Sequence, residues 1–410
     1  MKSNCLSCPS RAIPTLLAVA LAAPLLGLGA RSAWGDDPFD AVRDDMQAMI
    51  DEGASVGLVG FIQVKDKIVF QHAVGMRDRE AGTKLELDSI FRIYSMTKPM
   101  TCVAALTFFE EGRFKLDDPV AKYLPQLAKL KIKGEKGKDD QPLDSPMKVR
   151  DLFQHTTGWT YQTPWEREAK RTTEEPDLAD LVSALGTLPV DFQPGSRWEY
   201  GISHDVLGHL IEVLANKPLD EVFRERIIKP LGMIDTGFHV DKKDLPRLVT
   251  LYANSGQGLV AVPSGLGNDP TRNPAWLSGG GGLFSTAADY LRFTSMMQAG
   301  GALDGARILK EETVALMTRD HIGDIPRSML LFGRGYGLGV AVQTKATLGS
   351  AEGTWSWSGI AGTMFWVDPG NMQTILLMNQ TWMDMGPGMR FMGKAGQALL
   401  SNAARDSGGK

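Results

Sequence analysis

Apolar positions along residues 39–52 recur at helical spacing and stop at Gly53, which predicts an amphipathic helix. Two β-rich runs follow, residues 56–64 and 68–74, joined by Lys65-Asp66-Lys67 as a hairpin turn. From Ser95 to Gly112 the pattern becomes helical, with Met100, Val103, Ala104, Leu106 and Phe109 on neighbouring faces. Between about residues 115 and 320 helices alternate with Gly/Pro loops. Within that stretch Gly279 to Gly282 is a run of four glycines. It opens into Ser285-Thr286-Ala287-Ala288-Asp289, a helix start with Ser or Thr as cap. β character returns in residues 335–342, 354–357, 363–367 and 373–379, with Asp368-Pro369-Gly370-Asn371 as a turn, and residues 389–400 suit a closing helix. There is no internal repeat. Hairpins at both ends of the chain with helices between them predict an α+β fold whose antiparallel sheet draws strands from both termini. The expected organisation is a discontinuous sheet lobe of residues 36–90 and 325–403, a mainly helical lobe of residues 91–324, and a tail of residues 404–410.

The N-terminus follows a different rule. Lys2 and Arg11 precede an apolar run, residues 13–30, and Ala33-Trp34-Gly35 follows with small residues at both cleavage-site positions. This is a secretory signal pattern, so residues 1–35 are expected to be removed on export to the periplasm or medium. The run carries Pro14 and Pro24 and is short for a membrane span, which wants about 20 apolar residues. Cys5 and Cys8 lie in the leader, ahead of the apolar run, so Cys102 alone remains in the mature chain. That excludes an intramolecular disulfide and a metal site built on thiolates. A net charge of −4, with no like-charge block beyond a lysine-rich stretch at residues 129–138, gives no nucleic-acid surface. No metal-ligand cluster is visible, and the glycine run lacks the lysine of a phosphate loop, so no cofactor is expected.

Candidate chemistry lies in Ser-x-x-Lys, which sets a nucleophile and a base on one helical face. The motif occurs three times: Ser95-Met96-Thr97-Lys98, Ser145-Pro146-Met147-Lys148 and Ser407-Gly408-Gly409-Lys410. The last is a polar tail and the second carries proline directly after serine. Only Ser95 opens a long apolar helix after a β-rich segment, where the positive end of the helix favours a developing alkoxide. Lys98 is the expected activating base, since burial lowers a lysine pKa and frees the amine to take a proton. Gly53-Ala54-Ser55-Val56-Gly57 spells the Gly-x-Ser-x-Gly elbow, but helix precedes it and strand follows, the reverse of what that elbow needs, so Ser55 reads as a turn residue. His155 tempts toward a Ser-His-Asp triad, but no serine has the elbow geometry to join it, and it reads as structural.

Several blocks together resemble a known group. Phe91-Arg92-Ile93-Tyr94-Ser95-Met96-Thr97-Lys98-Pro99, Leu152-Phe153-Gln154-His155-Thr156-Thr157-Gly158 and Pro194-Gly195-Ser196-Arg197-Trp198-Glu199-Tyr200 occur in that order. They resemble the serine β-lactamase/penicillin-binding superfamily, nearest to class C β-lactamases and family VIII carboxylesterases. The resemblance spans about residues 40–380 and implies a β-lactamase/DD-peptidase-like fold. It makes Tyr200 a second base beside Ser95 and Lys98. Trp357-Ser358-Gly359 stands where relatives carry Lys-Thr-Gly, His-x-Gly or Trp-x-Gly, and is the expected substrate-binding strand, with Trp357 as a pocket wall. The backbone N–H groups of Ser95 and Ile360 are the implied oxyanion hole. Tyr252-Ala253-Asn254 repeats the lettering of a lactamase tyrosine motif without the Pro-Gly-x-x-Trp lead-in.

Two departures bear on substrate. Gly201-Ile202 follows Tyr200 where lactamases and carboxypeptidases place an asparagine, and Trp357 replaces a cation that pairs with a substrate carboxylate. A lost charge-assisted contact costs roughly 1.5–3 kcal/mol, so both changes favour a neutral ester over a β-lactam. The expected function is a serine carboxylesterase acting on a small-molecule ester or lactam. Three alternatives stay open: a class C-type β-lactamase or D-alanyl-D-alanine carboxypeptidase, an acyltransferase with an alcohol acceptor, and a non-catalytic binding relative.

Overall fold

The computed structural model describes residues 37–171, 173–263, 269–347 and 350–408. The expected leader lies outside these residues. Helix α1 (Asp40–Asp51) leads into strands β1 (Gly57–Val64), β2 (Lys67–Asp78) and β3 (Thr83–Lys84). Helix α2 (Thr97–Glu110) follows a 3₁₀ turn at Tyr94–Met96. The middle of the chain holds α3 (Val149–Gln154), α4 (Ser203–Ala215), α5 (Ala287–Gln298) and several shorter helices. Strands β4 (Gly335–Tyr336), β5 (Ala341–Val342), β6 (Trp355–Ser358), β7 (Met364–Asp368) and β8 (Gln373–Met378) then precede the closing helix α6 (Gly386–Gly408).

The eight strands form one sheet in the order β4-β5-β6-β7-β8-β1-β2-β3. Its defining join is between chain ends: β1 pairs antiparallel with β8, Val59 opposite Met378 and Phe61 opposite Leu376. The α+β fold with strands from both termini is therefore what the chain forms. Strand β1 is central and buried on both faces, which is why its sequence is almost continuously apolar rather than alternating. Leu58 and Ile62 pack under the terminal helices with Met46, Met49, Phe391 and Leu399. Val59 and Phe61 turn the other way, into the larger core that holds α2. Each fully buried side chain of this kind contributes roughly 1.5–3 kcal/mol. Arg390 of α6 ties the two terminal helices by ion pairs to Asp45 of α1 (2.9 Å) and to Glu52 at its end (2.5 Å).

Two elements differ from their sequence pattern. Residues 335–342, which read as one strand, form the two short strands β4 and β5 around a tight turn closed by Gly337 N–H to Val340 O at 2.8 Å. The chain doubles back because Gly339 takes φ +91° against Cys102, whose Sγ would stand 2.4 Å from a Cβ there. Residues 95–112 read as one helix, but Ser95 sits in the 3₁₀ turn and the α-helix starts at Thr97. Tyr94 takes φ +43° just before it, a left-handed conformation that turns the chain sharply at Ser95. Residues 97–108 are buried on every side, so α2 is a core rod carrying the site rather than an amphipathic surface helix.

Candidate active site

Ser95 and Lys98 of one motif and Tyr200 of another converge. The Tyr200 hydroxyl is 2.7 Å from Ser95 Oγ, and Lys98 Nζ donates to the same Oγ at 3.2 Å. Ser95 lies three residues before Lys98, so the 3₁₀ turn running into α2 sets their approach locally. Tyr200 arrives from residues 194–202, the segment that leads into α4. Lys98 also donates to the Tyr161 hydroxyl at 3.0 Å and to Gly280 O at 2.6 Å. Three acceptors thus surround the three protons of an ammonium. The same Nζ lies 4.8 Å from the centre of the Tyr200 ring.

This corrects the expected state of Lys98. Burial does pull its pKa down, but the oxygens of Tyr161 and Tyr200 outweigh the desolvation, and the pKa ends above that of an ordinary lysine. The sequence shows burial of the helix but not the phenols that meet the amine. Tyr161 carries no motif, and it was missed for that reason. Its ring is half exposed while its hydroxyl reaches the buried Lys98. A cavity of about 350 Å³ opens beside Tyr161 and Tyr200, with Phe192, Arg197 and Glu199 also on its wall.

Trp357 lies on β6, buried, with its ring 5.5 Å from that of Tyr200 and 5.4 Å from that of Tyr336. Ser358 ends the strand, and Gly359 N–H bonds to Thr363 O at 2.8 Å. A Cβ at Gly359 would stand 2.4 Å from Ile93 O, so glycine lets this strand end close on the segment before Ser95. Ile360 follows in the turn, its carbonyl accepting from Met383 N–H at 2.7 Å.

The other sequence candidates have different surroundings. Ser55 is buried between α1 and β1, and its hydroxyl donates to Asn379 Oδ1 at 2.9 Å. The Ser145 motif is loop, with Ser145 accepting from Gln193 Nε2 at 3.1 Å. Tyr252 bonds Glu80 at 2.6 Å and receives Arg79 N–H at 2.8 Å. Cys102 is a free, buried thiol in α2. His155 lies against the Tyr200 ring at 4.7 Å and the His204 ring at 4.5 Å. Burial holds both imidazoles well below the ordinary histidine pKa, with the Lys98 charge acting in the same direction.

Known proteins resemble this chain over most of its length. The family model described as Beta-lactamase matches residues 42–406. An uncharacterized protein of Mycobacterium tuberculosis is 33% identical, across 85% of this chain and 91% of its own. Esterase EstB of Burkholderia gladioli is 28% identical, across 84% of this chain and 90% of its own. Among solved structures, EstCE1, a hydrolase with promiscuous acyltransferase activity, superposes with a TM-score of 0.74 at 26% identity, over 87% of this chain and 98% of that one. The expected superfamily, fold class and enzymatic nature are thereby met: this chain belongs to the beta-lactamase family and is a hydrolase of it.

Proposed function

We propose that the protein is a serine carboxylesterase that works through an acyl-enzyme on Ser95. The observation that carries this reading is the short contact between Tyr200 and Ser95 beside a charged Lys98. With all three ammonium protons given to acceptors, Lys98 acts as a fixed positive charge and Tyr200 as the proton carrier. Ser95 Oγ attacks the ester carbonyl carbon while its proton passes to Tyr200 Oη and the phenol's own proton moves toward the alkoxy oxygen of the ester. The carbonyl oxygen becomes an oxyanion, held by the N–H groups of Ser95 and Ile360. Collapse expels the alcohol, which takes the proton from Tyr200, and leaves the acyl group on Ser95. Water then attacks the acyl carbon, gives a proton to Tyr200, and releases the acid as Ser95 is reprotonated.

Trp357 turns the reading from lactam to ester. Its indole stands against Tyr200 where a cation would attract a carboxylate, and the ring brings no positive charge to answer one. The segment Trp357-Ser358-Gly359 then borders the acyl group, and the leader pattern of residues 1–35 adds export to the reading. EstCE1 gives a second reading some footing, since an alcohol can take the place of water in the last step.

The test is a paired assay of a short-chain p-nitrophenyl ester and a chromogenic cephalosporin, each with the wild type and Ser95→Ala. Fast ester and slow cephalosporin turnover, both lost in Ser95→Ala, is the expected result. Cephalosporin turnover far above ester turnover would make the enzyme a lactamase that finds its cation elsewhere.

A further inference from the structure

The four-glycine run has no role in the acyl-transfer steps, yet two of its carbonyls are turned onto α2. Gly279 O accepts the Thr101 hydroxyl at 2.6 Å and Gly280 O accepts Lys98 Nζ at 2.6 Å. Behind the run sits Asp205, a buried carboxyl in the first turn of α4, which the mechanism also leaves unused. Its Oδ1 accepts the Ser278 hydroxyl at 2.6 Å and Gly280 N–H at 3.3 Å. Burial pushes the Asp205 carboxyl up, while the Ser278 hydroxyl, the Lys98 charge and Gly280 N–H draw it back toward the ionised form. A Cβ at position 280 would come within 2.4 Å of Asp205 Oδ2. Only glycine lets the carboxylate and the ammonium close on residue 280 from opposite sides.

We propose that Asp205 is a positioning residue for Lys98, fixing the Gly280 carbonyl on the ammonium and supplying a buried negative charge that adds to the Tyr161 and Tyr200 oxygens in keeping the amine protonated. The inference rests on the Ser95 reading above.

The other titratable groups around Lys98 cannot supply that charge. His155 and His204 feel its field and are held neutral by burial. Cys102, on the same helix, is held as a thiol by burial. Tyr161 and Tyr200 offer hydroxyl oxygens. Among the described groups that sense the Lys98 charge, Asp205 is the carboxylate. Desolvation works against a buried ammonium, and a nearby anion adds to what the phenol oxygens set against it.

The experiment follows the rate at which a fluorophosphonate labels Ser95 as a function of pH, which reads serine activation whatever the natural ester. The two limbs of that profile belong to the Ser95–Lys98–Tyr161–Tyr200 cluster as a whole. Removing a nearby negative charge disfavours its protonated forms, so in Asp205→Asn both limbs move to lower pH, by about one pH unit. Ser278→Ala keeps the charge and loses only a hydroxyl, and its limbs stay with the wild type. Should Asp205→Asn not fold, Gly280→Ala, whose methyl drives the carboxylate away, gives the same downward displacement. Limbs that superpose on the wild type in Asp205→Asn, or that move as far in Ser278→Ala, overturn the proposal. Normal labelling without ester turnover would sink the esterase reading and leave this one standing.

Discussion

His155 grips the main chain on both sides of Tyr200. Its carbonyl accepts Glu199 N–H at 3.0 Å, and its Nδ1 accepts Gly201 N–H at 3.4 Å, while the imidazole lies 4.7 Å from the phenol ring between them. The residue itself holds φ +56°, so the turn after α3 presents backbone and ring to the same neighbour. Nδ1 can accept only while it is unprotonated, which the burial of His155 secures.

This geometry separates two substitutions. Asn tolerates a left-handed φ, and its Oδ1 occupies the position of Nδ1, so His155→Asn keeps the bond to Gly201 and loses the ring. His155→Phe keeps the ring and loses the acceptor, leaving a buried N–H unpaired at a cost of about 1–3 kcal/mol. If holding the Tyr200 backbone is what counts, kcat falls on the order of tenfold or more in His155→Phe and is largely kept in His155→Asn, with KM little changed in both. Equal kcat losses in the two variants would show that the ring packing, not the bond to Gly201, sets the tyrosine.

A pH effect on stability follows from the same pair of rings. His155 and His204 are held well below the ordinary histidine pKa in the folded chain, and both regain an ordinary value on unfolding. Below about pH 6.5 the unfolded state therefore binds protons that the folded state refuses. The stability these groups contribute is complete above that pH and is lost as pH falls through it, by up to about 1.4 kcal/mol per pH unit for each histidine. Urea denaturation at pH 7.5 and pH 5.5 should show this loss, and His204→Gln should flatten it. An unchanged pH slope in His204→Gln would mean that other groups carry the acid sensitivity.

The sequence made the sheet and the meeting of Ser95, Lys98 and Tyr200 legible for identifiable reasons. Strands β1 and β8 announce themselves because both are apolar runs bounded by turn residues, and Ser95, Lys98 and Tyr200 each sit in a block with fixed spacing. What it hid depends on distances that no local pattern encodes. Tyr161 meets Lys98 across 63 residues and Gly280 meets it across 182. The phenol oxygens of Tyr161 and Tyr200, brought in from outside the helix, hold the lysine charged against burial, so the local argument from burial pointed the wrong way. The β4–β5 turn escaped for a similar reason: Gly339 bends because Cys102, far away in sequence, is pressed against it.

Ser55 gives a prediction in which stability and activity part. It reads as a turn residue, yet its hydroxyl is buried and donates to Asn379 Oδ1, which also accepts the Thr381 hydroxyl and Gln380 N–H. Ser55→Ala removes one of three donors from a buried acceptor, a loss of about 1 kcal/mol. A modest drop in melting temperature with kcat and KM unchanged is expected. Loss of ester turnover in Ser55→Ala, with Ser95→Ala active, would reverse the assignment of the nucleophile.

Tyr161 and Tyr200 both present a phenol to the buried amine, but only Tyr200 reaches Ser95 Oγ. Tyr161→Phe takes from the buried Lys98 amine one of its three acceptors. Charge-assisted bonds of this kind contribute roughly 1.5–3 kcal/mol, so kcat should fall about ten- to a hundredfold while the proton route through Tyr200 survives. Tyr200→Phe removes the proton carrier itself and should cost about 10²–10⁴-fold. Steady-state rates of the two variants on one ester decide the order. If Tyr161→Phe were the more damaged, the proton would travel from Ser95 through Lys98 to Tyr161, and Tyr200 would serve only to orient the serine.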